Sequence, residues 1–426
     1  MNLNNRECQS ISFEDNRLGK FEGGTVQFLP TVSTISFGLG VLQESLASAV
    51  HQTGANTVLL LTPYSIGFGH IVKMIKDVLE GLAVKKISVS AEHVPVDTLA
   101  KVLSQLEEEE PDVVIALGGS STLDLAKGVR VFRSLGIKEA NQIVEFMKSP
   151  RVLCKAPIPQ ISIPTTLSGS EYTRSFSAID FNNREKLSFT ETLCASQTIF
   201  YDPIATRETP HQLWMSSGIM ALNHAIEVMV ASPPNEISDC MKLTSAAYLF
   251  QHLPASAGDS ELPEVNNARE FCQVAAWMAD HSPMRVRTRN IQANILYSHS
   301  LAYQIAGRYK IPYGLIACTT LPSCLRSYTE ENERFKNRID QISEALPNYS
   351  KGFTNTNMLD EPKGLIERVD DLIAQSGLPL RLRDVGIPRN GLGRLAEDFG
   401  TQNSNGFGED ARVLKRNASK ILEDAW

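Results

Sequence analysis

The chain has 426 residues, 42% of them hydrophobic and 21% charged, enough apolar material for two domains with cores of their own. With 41 Lys and Arg against 48 Asp and Glu, the net charge is −7, which supplies no basic field for nucleic acid or an anionic membrane surface. Seven widely spaced cysteines with no CxxC pair argue against a disulfide framework and a zinc knuckle. Met1 to Lys20 is polar and lacks the apolar core of a signal peptide, and no run approaches the ~20 apolar residues of a membrane span. The expectation is a cytoplasmic protein in a reducing compartment.

From about Thr31 to Asp202, short β-rich runs alternate with helical patterns, the mark of βαβ units and a parallel sheet. Thr57 to Leu61 is one predicted strand, Val113 to Leu117 a second and Gln160 to Ile163 a third. Between the first two, Val96 to Glu110 carries Val96, Leu99, Val102, Leu103 and Leu106 at helical spacing and ends in the acidic run Glu107 to Glu110, which reads as a solvated helix end. After Pro203, helical stretches such as Gln212 to Val230 and Ser238 to Leu253 dominate, so the second half is expected to be all-helical. The predicted division is an α/β domain over 1–204 and a helical domain over 205–426. Gly352 to Pro362 reads as a loop, and Gly400 to Gly406 as a flexible excursion before a final helix.

Two turns carry chemistry. Leu117-Gly118-Gly119-Ser120-Ser121-Thr122-Leu123-Asp124-Leu125-Ala126-Lys127 runs from a strand through two glycines into a helix. Glycines there let backbone approach a bulky anion, and the helix start offers unpaired N–H groups and the positive end of its dipole. The spacing is neither GxGxxG nor a Walker A loop, and an ordinary βα turn with capping serines is the alternative. Pro164-Thr165-Thr166-Leu167-Ser168-Gly169-Ser170-Glu171 packs hydroxyls, a glycine and a carboxylate after another strand. Such a segment hydrogen-bonds phosphate, ribose or carboxamide, or simply caps a loop.

Together these segments resemble the iron-containing alcohol dehydrogenase superfamily, and within it the maleylacetate reductase branch. The first is similar to a GGGSxxDxAK turn with Ser120 in place of the third glycine, and the second to the PTTxxGSE form. Further matches follow in order: Phe37-Gly38-Leu39-Gly40, His93-Val94-Pro95-Val96, Tyr201-Asp202-Pro203, and Ser217 to Glu227 around His224. His299 to Tyr303, Ile311-Pro312-Tyr313-Gly314, and Gly377 to Pro388 complete the series. The resemblance implies a dehydroquinate synthase-like fold, with an N-terminal parallel-sheet nucleotide domain, an all-helical C-terminal domain, and NADPH or NADH in the cleft between them. It assigns Gly118, Gly119, Ser120, Ser121, Asp124, Thr165, Thr166, Ser168, Ser170 and Lys186 to the cofactor, and it suggests a homodimer. The predicted strand from Thr57 ends in Thr62-Pro63, with no acid to repel a 2′-phosphate, so NADPH is permitted and NADH is not excluded.

The resemblance also implies a site where metal-dependent members hold Fe²⁺ or Zn²⁺ with one Asp and three His. Here the Asp position is Met220, His224 and His299 are present, the third His position is Tyr313, and the further histidine near the nicotinamide is Tyr303. A thioether and a neutral phenol are poor substitutes for carboxylate and imidazole, so no metal is expected. Maleylacetate reductases resemble this chain in lacking the acidic ligand and working without metal, yet they keep the two histidines that are Tyr303 and Tyr313 here.

Without a metal, hydrogen-bond donors must stabilise the oxyanion that develops on hydride transfer. His299 and Tyr303 are the expected proton-donating pair, with His224 orienting the substrate, Tyr313 a further donor and Met220 lining the substrate space. Arg174 is a candidate for holding a substrate carboxylate, against the alternative of a surface arginine. The leading expectation is a metal-independent NAD(P)H-dependent reductase of an unsaturated acid, a keto acid or an enone. A non-redox lyase, isomerase or cyclase and a catalytically silent binding protein are the competing readings. Two phenols in an apolar cleft suit an aromatic or polyketide-like substrate better than a small dicarboxylate.

Overall fold

The computed structural model describes residues 25–28, 32–67, 69–90, 94–106, 110–153, 155–183, 185–232, 234–279, 284–287, 296–350, 363–407 and 410–426. The first part runs β1 (Thr25–Phe28), β2 (Thr34–Phe37), α1 (Val41–Gln52), β3 (Thr57–Pro63), α2 (His70–Val78), β4 (Ala83–Val89) and α3 (Val96–Ser104). It continues with β5 (Val113–Gly118), α4 (Ser120–Ser134), α5 (Ala140–Lys148), β6 (Gln160–Pro164), the pair β7 (Ser175–Asp180) and β8 (Glu185–Thr190), and β9 (Thr198–Tyr201). All three strands read from the sequence are therefore present.

Six strands form one parallel sheet in the order β2-β9-β6-β5-β3-β4. Side chains alternate across β3: Val58 and Leu60 meet α1 and α2 on one face, while Leu59 and Leu61 meet α3 and α4 on the other. A strand covered on both faces must be apolar throughout, which is why Thr57 to Leu61 and Val113 to Leu117 read as unbroken hydrophobic runs. The helices change face between β3 and β5, the switch point at which open α/β sheets leave a crevice beyond the strand ends.

Asp202 ends this part of the chain. Its carboxylate accepts from Ile204 N at 3.0 Å, capping the short α6 (Pro203–Thr206), and from Gly40 N at 3.2 Å and Leu42 N at 3.1 Å. One side chain thus ties the Phe37–Gly40 turn to the start of the helical half.

That half comprises α7 (His211–Ala231), α8 (Glu236–His252), α9 (Pro263–Ala279), β10 (Met284–Arg287), α10 (Tyr297–Tyr309), α11 (Tyr313–Glu331), α12 (Glu333–Ser350), α13 (Leu365–Gln375), α14 (Leu392–Phe407) and α15 (Ala411–Ala425) around one continuous core. Three expectations need correcting. The half is not purely helical, because β10 pairs antiparallel with β1. Gly400 to Gly406 is also not an excursion but the last turns of α14. Thr401 Oγ1 and Asn403 Nδ2 bond back to the carbonyls of Glu397 and Phe399 at 3.0 and 2.9 Å, and Gly400 lets α15 approach so closely that a Cβ there would meet Ala411 O and Lys415. Tertiary packing overrides weak propensity. The predicted helix from Val96 ends earlier than expected, at Ser104. Gly352 to Pro362, His93 and Glu107 to Glu109 lie outside the described residues.

α7 and α11 cross in near contact at Gly314, where a Cβ would sit 2.7 Å from Ser216 O and 2.8 Å from its carbonyl carbon. Backbone cannot yield as a flexible side chain does. Gly314→Ala is expected to lower stability by about 1–3 kcal/mol, as overpacking does, and thermal unfolding of the two proteins measures it. An unchanged midpoint would mean that the helices do not touch there.

Candidate active site

The glycine turn and the hydroxyl segment leave neighbouring strands. Gly118 pairs with Pro164 in the parallel register of β5 and β6, and Thr165 N donates to Gly118 O at 3.0 Å. A Cβ on Gly119 would lie 3.1 Å from the Thr166 methyl, where the two segments pack closely, and one on Gly118 would lie 2.7 Å from Thr122 Oγ1 in the helix that follows it. The α4 ladder opens with Thr122 N and Leu123 N donating to Gly119 O. The amides of Ser120 and Ser121 precede it, as the first turn of a helix requires, and their side chains are half-buried at the crevice. Anion-seeking N–H groups, hydroxyls and a backbone clear of Cβ atoms fit a dinucleotide pyrophosphate.

Other residues expected at the cofactor have internal partners. Lys127 is wholly buried, and its Nζ donates to Ser170 O at 2.6 Å, Thr173 Oγ1 at 2.8 Å and Ser175 O at 2.9 Å while pairing with Asp124 at 3.1 Å. Asp124 also accepts from Ser170 Oγ. Asp124 and Ser170 therefore lock α4 to the hydroxyl segment, with Lys127 as the fastener. Thr166 and Ser168 share a hydroxyl contact at 2.9 Å, and Thr165 O accepts from Thr209 Oγ1 at 2.8 Å.

Glu171 lies beneath this segment. Its Oε1 accepts from Tyr201 Oη at 2.8 Å, its Oε2 has no partner among the described residues, and burial pushes its pKa up to about 7. Tyr201 belongs to the Tyr-Asp-Pro junction, so one short motif supports both the carboxyl and, through Asp202, the cap described above.

Across the crevice, α7 carries Met220 and His224, α10 carries His299 and Tyr303, and α11 begins at Tyr313 behind Pro312. His224 Nε2 is 3.2 Å from His299 Nδ1, and Tyr313 Oη is 2.9 Å from the same nitrogen while donating to His299 O at 3.0 Å. His224 keeps an exposed edge, yet the protein packed around its ring, and secondarily the Lys242 ammonium, push its pKa down to about 4. It is neutral at pH 7. Met220 is buried, its sulfur 4.0 Å from Asn223 Nδ2.

The hydrogen bonds join His299 to Tyr313 and His224 rather than to Tyr303. Although one turn further along α10, Tyr303 faces the β7–β8 hairpin: Ser188 Oγ is 3.3 Å from its hydroxyl, and Lys186 Nζ stands 3.3 Å from the ring centroid. Crowding by protein around this ammonium lowers the Lys186 pKa although the residue as a whole is exposed. Lys186 and Tyr303, expected on opposite partners, thus meet at one edge of the crevice. Arg174 is half-buried just before β7 and has no described contact with the histidine cluster.

Glu227 closes the His224 motif, and the sequence gives it no role. It is buried, with Oε1 accepting from Ser298 N at 2.7 Å and Tyr328 Oη at 3.1 Å, and Oε2 from His299 N at 3.0 Å. Burial outweighs these bonds and pushes its pKa up to about 7. The available signal was its place three residues after His224, on the same helical face; Tyr328 offered none.

A parallel sheet with a glycine turn at its switch point, facing a helical half that presents imidazoles and phenols, defines a protein with a nucleotide-type crevice between two dissimilar halves. The chain matches the model of the iron-containing alcohol dehydrogenase family over residues 32–203 and that of the family's C-terminal region over 214–426, and it belongs to this family. It is similar to maleylacetate reductase 1 of Rhodococcus opacus, 24% identical over 399 residues that cover 94% of this chain and 96% of the relative. It is also similar to the NAD-dependent methanol dehydrogenase of Bacillus methanolicus, 23% identical over 388 residues covering 88% and 94%. The crystal structure of maleylacetate reductase from Agrobacterium tumefaciens shares the fold, with a TM-score of 0.70 at 21% identity over 94% of this chain and 97% of that one.

The family name implies iron, and the donor set here does not fit it. The two imidazole nitrogens that face each other are within hydrogen-bond distance, the other positions are a phenol and a thioether, and both oxygens of Glu227 are engaged elsewhere. Iron or zinc takes a convergent set of imidazole and carboxylate or thiolate ligands.

The raised Glu171 pKa carries a stability consequence. Between pH 4.5 and about 7 the folded chain retains a proton that the unfolded chain has released, so stability falls as pH rises through that window. Glu171→Gln keeps the Tyr201 bond and removes this dependence. Thermal unfolding at pH 5.5 and 8 should show the variant gaining on the parent at the higher pH. A difference constant across pH would show that Glu171 titrates normally.

Proposed function

We propose that this protein is an NAD(P)H-dependent oxidoreductase that reduces an enone, an unsaturated acid or a keto acid without a metal. The observation that carries the reading is the convergence of His224 Nε2 and Tyr313 Oη on His299 Nδ1, at 3.2 and 2.9 Å. That convergence falls where metal-dependent relatives are expected to hold their ion. Dehydrogenases and reductases among the relatives support the redox class, and the fit of the glycine turn to a pyrophosphate supports the nicotinamide cofactor.

A nicotinamide nucleotide held by the turn from Gly118 to Ser121 would supply a hydride for an electron-poor carbon, and the substrate oxygen that gains the displaced electron pair of the C=O or C=C bond would then need a proton. His299 would provide it from Nε2, and Tyr313, whose own proton rests on His299 O, holds the ring beside Nδ1. Tyr313 Oη donates to His299 O, which leaves its lone pairs to accept from a proton on His299 Nδ1. If neutral His224 instead presents N–H to Nδ1, the His299 proton sits on Nε2; the two tautomers differ by where one proton rests. A network of this kind delivers a proton and is refilled from solvent through the half-exposed edge of His224. Met220 fills apolar volume beside it, and Lys186 with Tyr303 forms the rim where the two halves meet. Donors aimed at a developing oxyanion replace a Lewis acid at no cost in reorganisation.

Calorimetric titration with NADPH and NADH, with iron and zinc analysis of the same sample, tests the reading. Binding of either nucleotide by protein holding far less than one equivalent of metal is the expected result; stoichiometric tightly held metal would sink it. In steady-state assays across a panel of enones and keto acids, His299→Gln should lower kcat by about 10²–10³, as loss of an oxyanion donor does, and Tyr313→Phe by about 10–100-fold, as loss of a contact supporting it does, while nucleotide affinity stays within about twofold. Equal losses in nucleotide binding would place these residues elsewhere.

A further inference from the structure

We propose that Glu227 is a positioning residue for His299 and that it acts by capping α10 from the neighbouring helix. The proposal rests on His299 serving as proton donor. It concerns a feature outside the hydrogen-bonded cluster itself.

The first amides of any α-helix have no partner within the helix, and α10 begins without local help, since Leu296 at its N-cap supplies no side-chain acceptor. All three opening amides are instead met from outside. Tyr297 N donates to Tyr328 Oη of α11 at 3.2 Å, Ser298 N to Glu227 Oε1 of α7 at 2.7 Å, and His299 N to Glu227 Oε2 at 3.0 Å. Only from Ser300, whose N donates to Leu296 O at 2.9 Å, does the helix satisfy itself. Tyr328 closes the arrangement by donating its own proton to Glu227 Oε1 at 3.1 Å.

This cap differs from an ordinary one in what it holds. Glu227 stands one turn beyond His224 on α7, and its carboxylate grips the backbone of His299 itself. The two imidazoles, with ring centroids 5.1 Å apart, are therefore spaced by one buried side chain reaching from one bearer to the other. The positive end of the α10 dipole and the two amides favour the anion at this point, so the carboxylate both satisfies the helix and fixes the direction in which the His299 ring leaves it. An Asp is one methylene too short to span the gap. A Gln matches the length but presents an NH₂ group to an amide N–H, two donors face to face.

The test uses the full-length protein and the variants Glu227→Gln and Tyr328→Phe, with two kinds of readout. Without substrate, amide hydrogen exchange at Ser298 and His299 and the ¹⁵N imidazole shifts of His299 report the cap and the ring directly. Faster exchange at both amides and altered His299 shifts are expected in Glu227→Gln, with smaller changes of the same sign in Tyr328→Phe. With the best substrate of the panel, kcat of Glu227→Gln should fall about 10–100-fold, the range for loss of a supporting contact behind a functional side chain, with KM for the nucleotide within about twofold. Wild-type exchange and imidazole shifts in either folded variant overturn the proposal, as does a lowered melting temperature with kcat intact. If Glu227→Gln fails to fold, Tyr328→Phe decides by the same criteria. If the parent protein transfers no hydride, the redox reading fails while the exchange and imidazole data still decide the role of Glu227.

Discussion

Parallel pairing of β5 with β6 is the constraint on which the crevice depends. Two motifs more than 40 residues apart become one surface because Gly118 and Pro164 are partners in the same ladder, so the turns that follow leave the sheet side by side. Parallel strands need crossovers, the crossovers need helices, and the helices bury both sheet faces. The only backbone left to meet a ligand is the rim beyond the strand ends. Lys127 makes that rim rigid. An ammonium with no access to water is tolerable because carbonyls, hydroxyls and Asp124 surround it, which is the condition for burying a charge at all.

The helical half solves a related problem differently. It brings imidazoles and a phenol from three helices to one place, and packed helices have no ladder to set their register. Two contacts take over that task. Gly314 lets α7 and α11 approach to backbone distance, and Glu227 with Tyr328 anchors the start of α10. A carboxylate in so dry a place pays a desolvation penalty, visible in its raised pKa, and persists because two backbone amides and a phenol donate to it. Removing one partner from such a group costs more than the group contributes when whole.

The chemistry of the cluster follows from what is absent as well as from what is present in the donor set. Met220 stands where the resemblance implies an aspartate and presents an apolar wall, while burial and the Lys242 ammonium push the His224 pKa down to about 4. Tyr313 brings a hydroxyl that both donates and accepts, which an imidazole already bonded on one side does less flexibly. A cluster of imidazoles and a phenol suits the proton delivery proposed above, because such donors gain charge-assisted bonds only when the charge has formed.

By itself the amino-acid order determined the alternation of strand and helix up to Asp202, the change to helices beyond it and the glycine turn, while the side chains of the cluster came from the resemblance of its motifs to a family. These are local properties: apolar period, turn residues and motif spacing are written in neighbouring positions. Only the tertiary structure decided who meets whom. Tyr303 sits one turn from His299 and was expected to share its proton, yet α10 directs it to Lys186 and Ser188 on a hairpin from the other half. Asp124 and Ser170, which the resemblance assigns to a cofactor, also bond each other across 46 residues of chain. The stretch from Gly400 to Gly406 reads as a loop, yet packing against α15 keeps it helical. In each case the deciding contact joins residues distant in the chain, and its energy depends on burial and geometry that no local pattern encodes.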